Sequence, residues 1–518
     1  MTDTSQHPTT CIQAPDPSQH PSQHPNWSQD PGRERWAALV VLCIGMLMIA
    51  LDATVVNVAL PVIQRDLQLS QSGLAWVVNA YLVSFGGLLL LAGRLGDLIS
   101  RRGVFLAGLV VFTCASLLCG FAGGEAMLVV ARVLQGLGGA MTSAVILGMI
   151  VTLFPESGER AKAIGVFAFV ASAGGSIGLL AGGVVTQLVS WHWIFFLNVP
   201  IGAATAVLAV RCVAPDRGPG LDDGADLIGA VLVTASLMLG VTTIVGPAAA
   251  RGWVDPGTLA LGLVSVSLLA GFVAREATAA NPLMPLRIFR SRNVSGANIV
   301  QALTVAGMFG MFFLGVLYVQ TVLGFDALHT GLAFLPTSLV MGTLSVRYSA
   351  SLIDRLGART VLVPGLVLIA AGLALFARVP VQGSYLVDVL PGTLLLGAGV
   401  GVSFPALMML SMSGATASDA GLASGLVNTT VQVGAALGLA VLATLSGSRT
   451  EALLARGVPA PIATTAGFQR GFLVAAALVV VAVCVAMTVL RDMDAPVDSE
   501  PTADRPDDTA EGVAAAVL

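Results

Sequence analysis

One carboxylate stands in the middle of a long apolar run. Residues 36–59 read WAALVVLCIGMLMIALDATVVNVA, and Asp52 is their only charge. About 20 such residues cross the hydrocarbon of a bilayer. An ionised carboxylate at that depth costs several kcal/mol unless it is neutral, paired or facing water. A carboxyl in a dry cavity can load a proton from one side and release it to the other as a path alternates. It can also contact a substrate, or serve only as a static, hydrogen-bonded or Arg-paired group. Arg132 is the only basic residue deep inside a predicted span, away from its ends. Guanidinium keeps its charge, so Arg132 must face a partner or water, and Asp52 is the acid we pair it with. An arginine that only fixes helix packing is the alternative. Glu125 and Asp388 fall at the starts of their spans, so no other acid lies deep. A single deep acid implies modest charge handling, hence a lipophilic neutral or singly cationic compound.

The elements that must position these residues are membrane helices. Of 518 residues, 56% are hydrophobic and 10% charged, against roughly 25% charged in a soluble domain. Apolar runs recur along nearly the whole chain. We count fourteen spans, near 36–59, 74–93, 104–123, 126–149, 163–188, 193–213, 225–246, 257–275, 294–320, 329–350, 360–378, 386–409, 422–444 and 468–490. With both termini on the cytoplasmic side, eighteen of the 25 Lys and Arg are cytoplasmic and six lie outside, Arg132 being the remaining one. That asymmetry supports the count and the direction.

The chain also repeats. GRLGDLISRRG at 93–103 follows the second span, and DRLGAR at 354–359 follows the tenth. Asp97 and Asp354 are 257 positions apart, close to the offset of about 258 between the first and ninth spans. Two six-helix halves, 36–213 and 294–490, are therefore expected, with a linker at 214–293 holding two extra helices. Parallel repeats of this kind place a substrate path at their interface. Residues 1–35 carry SQHP three times, with His7, His20 and His24, and lack the apolar core of a signal peptide. They and the acidic end, 491–518, are expected to be disordered and cytoplasmic.

Five motifs, in order, resemble the fourteen-helix drug:proton antiporter branch of the major facilitator superfamily. They are LDATVVNVALP at 51–61, GRLGDLISRRG at 93–103, RVLQGLGG at 132–139, GLLAGG at 178–183 and WHWIFFLNVPIG at 191–202. The resemblance covers 36–490. Four positions, in three motifs, depart from the family pattern: Ser100 and Gly103 where Gly and a basic residue are usual, Leu179 where proline is usual, and His192 where arginine is usual. The resemblance implies an all-α polytopic membrane protein with the major facilitator fold, two six-helix bundles plus a two-helix hairpin. It implies a monomer in the cell membrane that exports hydrophobic drugs or antibiotics in exchange for protons, by alternating access. A role for Arg132 in gating the proton on a nearby acid is also implied by the resemblance.

The remaining site residues follow from their places in the spans. Gly93, Asp97, Arg101 and Arg102 lie at a face too near water to carry substrate, and are read as a conformational latch. There Asp97 would meet a helix N-terminus, such as that of the thirteenth span. Gly174, Gly178 and Gly182 recur every fourth residue and give one smooth helix face, with Gly183 beside it. Asn57, Gln135, Gln301, Gln320, Asn428 and Gln432 could line a cavity. No clustered His, Asp or Cys, nucleophile motif, phosphate loop or basic stripe is present, so neither an enzyme, a metal or cofactor site, nor a nucleic-acid partner is expected. The competing transporter reading is an exporter or facilitator of one endogenous metabolite.

Overall fold

In lipid every backbone donor and acceptor needs a partner inside the protein, and a helix supplies them turn by turn. The computed structural model describes residues 31–218, 220, 226–279, 282–283, 286–412 and 420–491. Among them there is no strand. The histidines of the first segment and the acidic end beyond 491 lie outside the described residues.

Fourteen long helices follow in order. The first half holds α1 (Pro31–Asp66), α2 (Gln71–Leu98), α3 (Arg101–Gly120), α4 (Glu125–Leu153), α5 (Ser157–Leu188) and α6 (Trp193–Cys212). The hairpin is α7 (Leu227–Ala248) and α8 (Pro256–Thr278). The second half holds α9 (Arg292–Thr321), α10 (Ala327–Leu356), α11 (Ala358–Phe376), α12 (Tyr385–Ser411), α13 (Ala420–Leu454) and α14 (Ala460–Val489). Thirteen of the described helices are long and apolar enough to cross a membrane. The 32-residue α5 is the fourteenth.

Several helices outrun the apolar stretches that predict them. Residues 31–35, expected in a disordered tail, are the first turn of α1. The cause is local: proline suits the first helical position, and Glu34 in the first turn suits the positive helix end. Ser70, Ser100 and Ser291 each accept a backbone N–H three residues on, and so fix where α2, α3 and α9 begin. Pro247 lacks an N–H, and α7 closes there in a π-helical turn over Ile244–Ala248.

The packing repeats with the sequence. In the first half α3 packs on α4, α2 on α4, α1 on α5, and α6 on both α1 and α3. The second half matches pair for pair: α11 on α12, α10 on α12, α9 on α13, and α14 on both α9 and α11. The halves meet through two related seams, α2 against α13 and α5 against α10. The hairpin lies beside the first of these, with α7 on α2 and its π-helical turn against α13. Two further acids, Asp226 and Glu276, are buried in the hairpin region, but both stand at helix ends rather than deep in a span. Asp226 caps α7 through the Gly229 N–H and accepts Arg275 Nε at 3.2 Å, which explains its burial structurally.

Glycine sets how closely α5 and α1 approach. A methyl added at Gly174 would lie 2.7 Å from the Ala50 Cβ, and one at Gly182 would lie 2.8 Å from the Val55 carbonyl oxygen. At Gly178 it would meet the Thr54 hydroxyl and the Leu51 backbone. Gly183 points elsewhere, onto Ala327 of α10 in the other half. The second half uses the same device, with Gly434 and Gly438 of α13 against Ala302 and Ala306 of α9.

Gly178→Val should therefore cost roughly 1–3 kcal/mol through overpacking, read as a lower melting temperature of the purified protein. Gly165→Ala on the same helix, where nothing lies within 4 Å, should leave the melting temperature unchanged.

Candidate functional site

The two charges singled out in the sequence meet inside the first half. Arg132 Nη1 lies 2.6 Å from Asp52 Oδ2, and the side chains are 1% and 0% exposed. Gln135 stands one helical turn beyond Arg132 on α4, so both reach the same point on α1. Its Nε2 donates to Asp52 Oδ1 at 2.7 Å and to Ser116 Oγ of α3 at 2.8 Å. Its Oε1 accepts Arg132 Nη1 at 2.8 Å. Asn198 of α6 donates to Asp52 Oδ1 at 3.1 Å. On the far side, Arg132 Nε donates to the Val77 carbonyl oxygen of α2 at 3.0 Å, and the guanidinium carbon sits 4.4 Å from the Tyr81 ring centre. Five helices thus send one polar group each, or more, to a dry centre. Such a network is cheap only when every member is satisfied.

A break in the helix precedes Asn198. Helix α6 is interrupted at Leu197, and Asn198 starts its longer piece. The preceding Trp191 is pinned by a 2.8 Å bond from its Nε1 to Asp66 at the end of α1, with His192 stacked on it. Ser116 and Asn198 are absent from the residues the sequence singles out. Asn198 stands inside the WHWIFFLNVPIG block, which is the one signal for it; Ser116 offers none.

The expected cavity residues separate into different surroundings. Gln135 is fully buried and belongs to the network around Asp52. Asn57 is buried and donates to the Ala53 carbonyl of its own helix. Gln301 is buried on α9, and Asn428 is exposed on α13. Gln432 packs against Gly86 across the α2–α13 seam. Gln320 Nε2 donates to the Val58 carbonyl of α1 at 2.9 Å and so ties the two halves. It also borders a cavity of about 640 Å³ between α1, α5, α9 and α10, with Arg65, Thr186 and Asp326.

The two ends of the bundle carry different bonds. At one end Asp97 pairs with Arg101 at 2.9 Å. Arg101 also reaches the Gly148 carbonyl and the Thr152 hydroxyl of α4, and Arg102 Nη2 reaches the Val210 carbonyl of α6. Residues 413–419, which precede α13, lie outside the described residues, and so does any contact they make with Asp97. Gly96 abuts Val145 of α4, whereas Gly93 has room for a methyl 3.9 Å from Ala144. The close approach of the helix ends is therefore made at Gly96 and not at Gly93. Ser100, one of the departures from the family pattern, caps the Gly103 N–H at 2.8 Å. The linker adds to this cap: Asp216 accepts the Ser100 hydroxyl and the N–H groups of Arg101 and Arg102.

At the other end the bonds cross between halves. Gln187 of α5 donates to Asp326 at 2.9 Å and accepts the Leu328 N–H of α10. The His329 N–H and the Gln187 amide pull the Asp326 carboxyl down to about 2. Its contribution to this contact is present above the usual carboxylate value and is lost only as pH falls through about 2.

Comparison with known proteins follows the same lines. The model of the Major Facilitator Superfamily matches residues 42–439. The puromycin resistance protein pur8 of Streptomyces alboniger is 39% identical over 458 residues, covering 87% of this chain and 90% of that protein. The cephamycin export protein CmcT of Amycolatopsis lactamdurans is 38% identical over 434 residues, covering 83% and 88%. The crystal structure of a bacterial homologue of the human lysosomal transporter Spinster, inward-facing and unoccupied, superposes with a TM-score of 0.65 at 15% identity, covering 90% of this chain and 99% of that one.

A double-mutant cycle tests the central pair. Asp52→Asn and Arg132→Gln, alone and together, should show a coupling of roughly 1–3 kcal/mol in thermal unfolding; strict additivity would mean the charges do not interact. Between pH 5 and 8, Asp326→Asn should leave the shape of the pH profile of transport unaltered, because the carboxyl does not titrate there.

Proposed function

Because the chain belongs to the major facilitator superfamily, a family of transporters, we propose that it exports hydrophobic drugs or antibiotics in exchange for protons. The observation that carries the coupling is the fully buried Asp52–Arg132 pair. A buried pair of this kind is costly to break by removing one charge. A proton arriving on Asp52 does that reversibly. It cancels the attraction for Arg132, which keeps its bonds to Val77 and Gln135 and its seat on Tyr81. The guanidinium therefore stays in place while α1 is released from α4. Helix α1 also meets α5 and α6 in its own half and α9 and α10 in the other. A change at Asp52 is thus next to the bond at Val58 and Gln320 that ties the halves.

Alternating access then follows from rocking of the two bundles, with the Asp97 end cytoplasmic and the Asp326 end outside. The distribution of Lys and Arg supports this direction, as do cytoplasmic termini in the cell membrane. The inter-half bonds at the Asp326 end act as the outer closure. The Asp97–Arg101–Arg102 cluster acts as the inner latch, and the glycine face of α5 keeps water from the Asp52 level. Export of antibiotics is supported by the relatives, whose names describe puromycin resistance and cephamycin export. The protein works as a monomer, with lipid around it and a small hydrophobic or cationic substrate inside.

Inside-out vesicles test the exchange. Adding a transported compound should drive proton movement, and collapsing the gradient with an uncoupler should stop uphill accumulation. Equal accumulation after the uncoupler would defeat the reading. Asp52→Asn should abolish gradient-driven export at normal protein level, whereas full export would remove Asp52 from the coupling. Asp97→Asn should slow turnover about tenfold, equivalent to ~1.4 kcal/mol in the barrier, while compound binding to the purified protein changes little.

A further inference from the structure

Asn79 of α2 is fully buried, and neither its amide nitrogen nor its amide oxygen has a hydrogen-bond partner. A buried side-chain amide with both ends unpaired is among the most expensive groups a core can hold. Its direction follows from the helix around it. Val77, Tyr81 and Ser84 face α4: Val77 binds Arg132, the Tyr81 ring lies against Arg132, and Ser84 touches the place of Gly136. Gly86 and Leu90 face α13, against Gln432 and Gly425. At 3.6 residues per turn, Asn79 falls on the Gly86–Leu90 stripe, nearly opposite the Arg132 face.

The register places its neighbours. Gly86 meets Gln432, and Ala75 shares a cavity with Ala443. The helices run antiparallel, so Asn79 stands opposite Leu439, beside Ala435, Ala436 and Ala440, all of them buried. An amide therefore faces an apolar strip on the seam between the halves. That seam is one of the surfaces that must part if the bundles rock.

We infer that Asn79 is a substrate-binding residue, exposed when the α2–α13 seam opens, and that it recognises an adjacent donor and acceptor, as in an amide or lactam. The inference rests on the export reading given above, since only a parting seam exposes the residue. The side chain offers one acceptor and one donor side by side. An amide group on the compound answers both, whereas an ester of the same shape answers only one. The unpaired amide weakens the closed seam and gives the compound bonds that the protein itself does not make.

The test compares an aromatic carboxamide with its matching ester for equilibrium binding to the purified full-length protein. Wild type should bind the amide about 10-fold more tightly, and Asn79→Leu should bring that ratio near one. Asn79→Leu should also raise the melting temperature, since it replaces an unpaired amide with an apolar side chain. Asn79→Ala, which leaves space rather than bulk, should lose the same preference. No amide preference in the wild type, an unchanged ratio in both variants, or a fall in the melting temperature of Asn79→Leu would overturn the inference. Proton-coupled accumulation in vesicles is scored separately on the wild type, so failure of the export reading is distinguishable from failure at Asn79.

Discussion

The first half is organised around one guanidinium and one carboxylate that water does not reach. In a medium of low dielectric neither charge is tolerable alone, and their attraction is correspondingly strong. The requirement extends past the pair. Asp52 also needs donors for its second oxygen, which Gln135 and Asn198 supply, and Arg132 needs acceptors for its remaining N–H groups, which Val77 and Gln135 supply. Each demand recruits another helix. The positions of α1, α2, α3, α4 and α6 around this point are therefore fixed by hydrogen-bond satisfaction as much as by packing.

Apolar packing alone gives little direction in lipid, because the surrounding tails are as apolar as leucine. Small residues supply what the hydrophobic effect does not. Gly174, Gly178 and Gly182 bring α5 onto the segment of α1 that carries Asp52, touching Leu47, Ala50, Leu51, Thr54 and Val55. The matching contact of α13 on α9 has glycines but no buried charge pair among the described residues. The halves are alike in packing and unlike in chemistry among the described residues.

The ends of the bundle divide their labour. At the Asp97 end, charged side chains bind neighbours within the first half and the linker that leads to the hairpin. Asp216 clasps the start of α3, and the linker backbone continues the clasp, Gly218 and Gly220 donating to Ile99 and Leu98. At the Asp326 end, the bonds run from one half to the other. The hairpin borders the α2–α13 seam, where Thr444 of α13 binds the Ile244 carbonyl exposed by the π-helical turn. An added helix pair is thus tied to both halves at the seam where they meet.

Much of this was legible in the residues. Apolar runs, the duplicated GRLGD and DRLGA segments, the positive bias and the every-fourth glycines depend only on local periodicity and hydropathy. They specify fourteen helices, two related halves and a smooth face on α5. The rarity of charge in lipid marked Asp52 and Arg132, because a cost so large narrows the possible partners to each other. Other features required the folded chain. Ser116 and Asn198 look like any small polar residue until they stand beside Asp52, 64 and 146 positions away in the sequence. Gln135 reads as a cavity residue until the phase of α4 turns it inward. Gly183 sits in one motif with Gly182 yet faces the other half, and Asp216 lies in an unremarked linker. In each case the deciding quantity is the rotation and register of one helix against another, which side-chain packing sets and no local pattern encodes.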